Sequence, residues 1–303
     1  MTSMCKQSIP EELQFWEDSY QEKAQDKNLN TDKVSSRDYI RKSEANNLNF
    51  VISSYVPSIK IKSYDALRCL LYTEHFDGVG SDWVFRGHRD HNWRLESTLE
   101  RIGSKSLDLR EAHLNQFRKE CRRIFKDKTY LSDMDENDFW AIGQHYDLAT
   151  PLLDWTQSPY VALFFAFEHQ QDDDNYRVIY ALNKTKLVNL FSKIEVQEQL
   201  FFEPSKDPFG RLVNQSGLFT IAPYCTTLED MLIDNLRRVN ITKANDIANY
   251  ICKIYIKSSP SIRKNCLLDL RQMNIHRGTL CPDLNGAALY CNHMIKEQYG
   301  IDC

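Results

Sequence analysis

Apolar and polar positions follow three patterns along this chain, and each predicts a different kind of element. Short runs with period two, or unbroken apolar runs between turn residues, predict strands at 83–86, 151–155, 176–182, 218–221 and 251–257. Helical spacing predicts a helix capped by Ser63, with Leu67, Leu70 and Leu71 on one face. It predicts another over 110–126, where Leu114, Phe117, Cys121, Ile124 and Phe125 step along one side. Thr227 and Asp230 resemble a helix-start box for 228–237, Pro260 opens a helix carrying Cys266 and Leu270, and 281–286 leads into a last helix through Met294. The third pattern is apolar on every side. Residues 160–167 follow Pro159, which suits a first helical position, so a buried helix capped by Thr156 or Ser158 is expected through about His169.

Arranged in order, these elements predict an α+β fold. Residues 59–303 are expected to form a single domain, a mixed or antiparallel sheet surrounded by helices, with 93–95 as the second arm of a hairpin begun at 83–86. Residues 10–47 are mostly polar and charged, with Leu13, Phe15, Trp16 and Tyr20 as their first apolar group, and 1–58 are expected to be a helical, partly mobile arm. The turn-rich stretch 201–211 and the polar turn 170–175 separate later elements, and no internal repeat is visible.

Composition narrows the function classes. The net charge of −4 gives no global basic field for nucleic acid or an anionic membrane. No apolar run approaches the roughly 20 residues of a membrane helix, and no signal-peptide segment opens the chain, so a cytoplasmic protein without a membrane partner is expected. Nine cysteines without framework spacing read as reduced thiols. Cys281, Cys291 and His293 come nearest to a ligand cluster, and no metal is expected. The basic side of 110–128, with Arg118, Lys119, Arg122, Arg123, Lys126 and Lys128, is either a solvated helix face or a phosphate contact.

Candidate chemistry gathers in two stretches. Phe85-Arg86-Gly87 ends an aromatic strand in a fork of donors and a residue that permits close backbone approach. Arg86 is a ligand-facing cation or the partner of a buried carboxylate such as Asp154. In 143–158, His145 is a general base or a hydrogen-bonded core histidine. Trp155, Tyr146 and Tyr160 stack on a base or simply fill a core. Thr156 and Ser158 cap a helix or contact a ribose or phosphate, and Asp283 is the N-terminal acid of a helix. No Gly-x-Ser-x-Gly elbow, phosphate-binding glycine loop or Rossmann fingerprint occurs among the 10 glycines.

Four motifs in order, Phe85-Arg86-Gly87, the segment 143–158, Arg211 through Phe219, and Pro282-Asp283-Leu284-Asn285-Gly286, resemble FRG-domain proteins over about 60–295. Asn285 stands where the family has an acidic residue, and Ala149 where Thr is frequent. More distantly, Arg86, then Thr156 and Ser158 before an Ala/Phe helix, and then Gln215 resemble the Arg-Ser-Glu series of ADP-ribosyltransferases. That resemblance implies a split sheet whose cleft holds NAD as co-substrate, with Phe85, Arg86, Gly87, Trp155, Thr156, Ser158 and Tyr160 as binding residues. It implies a catalytic set of Arg86 and Gln215, extended here by His145 and Asp154. Gln215 occupies the place of a glutamate and lacks its charge, so Glu203 or Asp154 would have to supply a carboxylate.

Three functions follow from these readings. The first is an NAD-utilising ADP-ribosyltransferase or NAD glycohydrolase in a toxin or phage-conflict setting, with a nucleic-acid or protein acceptor. The second is a non-catalytic nucleotide- or nucleic-acid-binding module. The third is a hydrolase acting on nucleic acid through His145 and Asp154.

Overall fold

A computed structural model describes residues 56–73, 75–76, 82–103, 107–125, 134–169, 176–194, 199–204 and 210–299. The arm expected over 1–58, except for its last three residues, and the polar turn 170–175 lie outside them. The first elements are β1 (Ser58–Ile61), α1 (Asp65–Leu71), β2 (Trp83–His88), α2 (Thr98–Arg101), α3 (Leu107–Ile124) and α4 (Glu136–His145). Next come β3 (Leu152–Thr156), α5 (Pro159–Phe167), β4 (Tyr176–Asn183), α6 (Lys184–Lys193), β5 (Phe201–Phe202) and α7 (Arg211–Gln215). The chain continues with β6 (Gly217–Ile221), α8 (Leu228–Arg238), α9 (Ala244–Ala248), β7 (Ile251–Lys257), α10 (Pro260–Gln272), α11 (Arg277–Leu280) and α12 (Leu284–Tyr299). The fold is α+β, with parallel and antiparallel strand pairs.

The chain divides into two compact units that interleave in sequence. One takes residues up to 92, 162–197 and 229–269; the other takes 93–161, 198–228 and 270 onward. In the first unit the strand order is β1-β7-β4-β2, with β1 parallel to β7 and the other pairs antiparallel. One face of this sheet is apolar. Ile59, Ile61, Phe85, Ile179, Cys252, Ile254 and Ile256 are all no more than 1% exposed. The strand at 83–86 does not form a hairpin with 93–95. β2 pairs instead with β4, while Leu95 accepts a backbone hydrogen bond from Leu228 and Arg94 donates to the Thr227 hydroxyl.

β4 runs between β2 and β7 and is buried along nearly its whole length, as a central strand should be. Beyond it, the C-terminal end of the buried helix α5 is tied down by two arginines. Arg263 donates to the Phe167 and Glu168 carbonyls, and the buried Arg177 donates to the carbonyls of Arg89 and His169 and to the Ser258 hydroxyl. These bonds satisfy acceptors that a helix end leaves open. Ser63 does not cap α1. Tyr64 takes the N-cap position without a side-chain cap bond, and its hydroxyl donates to Asp269 on α10 at 2.5 Å.

The second unit contains the antiparallel sheet β3-β6-β5. Leu114, Cys121, Phe139, Trp140, Leu152, Phe202 and Phe219 form its core, bringing α3 and α4 onto the sheet. Helix α4 was not anticipated from its apolar residues. Its start is a reciprocal capping box in which Asp135 accepts from the Asp138 N–H at 2.8 Å while Asp138 accepts from the Asp135 N–H at 3.4 Å. α3 begins earlier than the pattern predicts and ends at Ile124, whose side chain is 75% exposed and takes no part in the core.

Candidate functional site

β2 carries its chemistry at its end because its two faces differ. Phe85 points into the apolar core and is fully buried, with its ring 6.3 Å from Phe76. Arg86 points the other way and is half-buried. Its Nε donates to His88 Nε2 at 3.0 Å, an acceptor role that only a neutral imidazole can play. In register beside Arg86 lies Tyr180, and beside Tyr180 lies Lys253, whose ammonium sits 4.8 Å from the Tyr180 ring centroid. Gly87 faces α5. A Cβ there would lie 1.9 Å from the Ala162 carbonyl oxygen, so the glycine is required by strand–helix contact.

In the second unit, β3 and the start of α5 position the other motif residues. Asp154 is exposed and accepts from Gln144 Nε2 at 2.7 Å, while Gln144 Oε1 accepts from the Thr150 hydroxyl. A small polar relay thus links the end of α4 to β3. Trp155 is buried and its indole N–H donates to the Thr220 hydroxyl at 2.9 Å. The Thr156 hydroxyl donates to the Gln215 carbonyl and accepts from the Ser158 N–H. The Ser158 hydroxyl accepts from the Val161 N–H, which makes Ser158 the cap of α5. Tyr160 is half-buried within the first turn. His145 is half-buried and meets the exposed Tyr146 edge-on at 4.9 Å.

Gln215 is brought to Thr156 through its backbone, whereas its side chain is directed elsewhere. Its Nε2 donates to the Leu280 carbonyl at 2.9 Å and approaches Cys281 Sγ at 3.8 Å. Glu203 is exposed just after β5. Asp283 accepts from the Gly286 N–H at 2.7 Å, a local helix-start bond at the head of α12. The basic side of α3 is divided: Arg118 lies 5.1 Å over the Phe139 ring, Arg123 pairs with Glu120, and Lys126 and Lys128 fall outside the described residues.

Sequence reasoning passed over Gln144, His88, Tyr180 and Lys253. The alternation of 251–257 carried a signal for Lys253, but its neighbours across the sheet lie on strands distant in sequence. Burial pushes the Cys252 and Cys266 thiols up, which makes them poor nucleophiles at neutral pH. Among the described residues, no three His, Cys, Asp or Glu side chains gather as a metal ligand set, and no helix is long and apolar enough to cross a membrane.

No curated protein and no solved structure matches the chain. Residues 81–175 match the family model of the FRG domain. These residues carry an FRG domain, and the matched span contains the strand end at Arg86 and the strand–helix junction at 154–158.

Proposed function

We propose that the FRG domain binds an NAD-type dinucleotide through Arg86 and acts on it as an ADP-ribosyltransferase or NAD glycohydrolase. The setting of Arg86 supports this reading. The guanidinium is half-buried, oriented through its Nε by His88, and placed in a row with Tyr180 and Lys253. An oriented guanidinium suits the bidentate recognition of a phosphate group.

The reaction breaks the bond between the nicotinamide nitrogen and the ribose anomeric carbon. Nicotinamide leaves with the bonding electrons, and water or an acceptor nucleophile adds to the sugar. Positive charge develops on the ribose, and a carboxylate is the natural stabiliser. The Gln215 amide is neutral and already donates to Leu280, so it does not supply that charge. Consumption of NAD, or modification of a protein or nucleic acid with it, suits a toxin or phage-defence protein.

The test is nicotinamide release by the purified full chain incubated with NAD. Arg86→Ala is expected to lower release by about a hundredfold or more, a loss typical of removing a key electrostatic contact, with an unchanged circular dichroism spectrum. A wild-type chain that neither releases nicotinamide nor binds NAD in calorimetry overturns the reading.

A further inference from the structure

We propose that the outer part of the first unit's polar sheet face, formed by Lys60, Tyr176, Tyr255 and Lys257, is a binding platform for single-stranded nucleic acid. Strand register puts these residues together. Lys60 pairs with Tyr255 across β1 and β7, and Tyr176 pairs with Lys257 across β4 and β7. Residues paired in this way share a face, and those two apart along a strand do as well. The same face therefore carries Lys253, Tyr180, Arg86 and His88 further in.

Charge on these strands has one sign. β1, β2, β4 and β7 hold five cations, Lys60, Arg86, Arg177, Lys253 and Lys257, and no carboxylate. Only Arg177 lies on the opposite face, where it is buried and donates to carbonyls.

Exposure is graded across the face. Tyr180, Val178 and His88 are buried, Tyr176 and Tyr255 are half-buried, and Lys60 and Lys257 are exposed. The accessible part is thus two aromatic rings flanked by two ammonium groups. The rings stand edge to face at 6.2 Å and 85°, and Lys60 Nζ lies 5.6 Å from the Tyr176 centroid.

A single strand offers base faces to stack on tyrosine and phosphates to meet lysine, and the two functions alternate here at the spacing of neighbouring strands, about 4.8 Å. A duplex buries its base faces and would use only the lysines. An acidic peptide would leave the rings unused. The platform involves residues other than those assigned to NAD, and it does not depend on that assignment.

Fluorescence anisotropy of a labelled twenty-nucleotide oligo(dT) with the full chain, without NAD, tests this. At about 50 mM salt the single strand is expected to bind at least roughly tenfold more tightly than a duplex of equal length. Tyr176→Leu and Tyr255→Leu are each expected to weaken binding by about tenfold, the effect of losing one stacked base. Lys60→Gln with Lys257→Gln removes two phosphate contacts and should flatten the log–log salt slope by about 1.4. Both lysines are exposed, so this double variant carries the test if a tyrosine variant fails to fold. Absence of oligo(dT) binding by the wild type, equal binding of the duplex, or a wild-type salt slope in the lysine variant overturns the proposal. Nicotinamide release by Tyr176→Leu and Tyr255→Leu stays at the wild-type level, so a failure of this proposal and a failure of the NAD reading give different results.

Discussion

Replacing Gly87 by alanine would put a methyl carbon 1.9 Å from the Ala162 carbonyl oxygen and 2.8 Å from the Ala166 nitrogen. A comfortable carbon–oxygen contact is about 3.3–3.6 Å, so β2 and α5 must part by roughly 1.5 Å. Neither side yields easily. The obstructing atoms are backbone, β2 is held in register with β4 from Trp83 to His88, and Ala162 and Ala166 are 1% and 0% exposed. Overpacking a core typically costs about 1–3 kcal/mol, and a backbone collision belongs at the top of that range or above it. Thermal unfolding followed by circular dichroism should register this as a fall of about 6 °C, taking roughly 2 °C per kcal/mol for a chain of this size. Gly143→Ala is the control within the same chain. The nearest atom to its new methyl is the flexible Leu148 Cδ2 at 2.5 Å, and alanine favours the helix by up to about 1 kcal/mol. Gly143→Ala should therefore melt within a few degrees of the wild type. If Gly87→Ala melts as high as Gly143→Ala, strand–helix contact is not what demands the glycine.

Two further outcomes follow from buried polar groups. Trp155→Phe leaves the Thr220 hydroxyl without its indole donor and should cost about 1–2 kcal/mol, while adding Thr220→Val should restore part of the loss; strictly additive losses in chemical denaturation would show that the bond contributes nothing. Burial holds His75 down at about 4, with Lys186 adding to the effect, and its ring lies 4.7 Å from that of Phe76 and 5.3 Å from that of Trp83. The unfolded chain takes up this proton near the ordinary value of about 6.5 and the folded chain only near 4, so stability contributed by the neutral ring is complete above about pH 6.5 and is lost as pH falls toward 4. The loss over that window is roughly 3 kcal/mol. His75→Phe should flatten the acid limb of melting temperature against pH, and an unchanged limb would assign the acid sensitivity to other groups.

Local pattern carried most of the elements. The all-round apolar run at 160–167 became a helix buried on nearly every side, and the alternation at 251–257 became β7, with Ile254 and Ile256 inside and Lys253 and Tyr255 on the other face. Of the four motifs, the Arg-Gly strand end and the segment 143–158 fall inside the span that matches the FRG domain, while 211–219 and 282–286 lie beyond it. Periodicity and motif order are properties of neighbouring residues, and so they survive without coordinates.

Pairing did not survive in the same way. Residues 93–95 were the expected partner of 83–86, yet β2 pairs with β4 some ninety residues away, because closing a long loop costs little more entropy than closing a medium one and many contacts can outweigh it. Polar partners were hidden for the same reason. Nothing near Gln215 in sequence indicates that its amide will hold the Leu280 carbonyl, and nothing near Gly87 indicates that the Ala162 carbonyl will come so close. The polar sheet face shows the division most clearly. Each strand states which of its own residues share a side, but only register across β1, β7 and β4 brings Lys60, Tyr255, Tyr176 and Lys257 together, since a slip of one residue would turn a strand's cations inward.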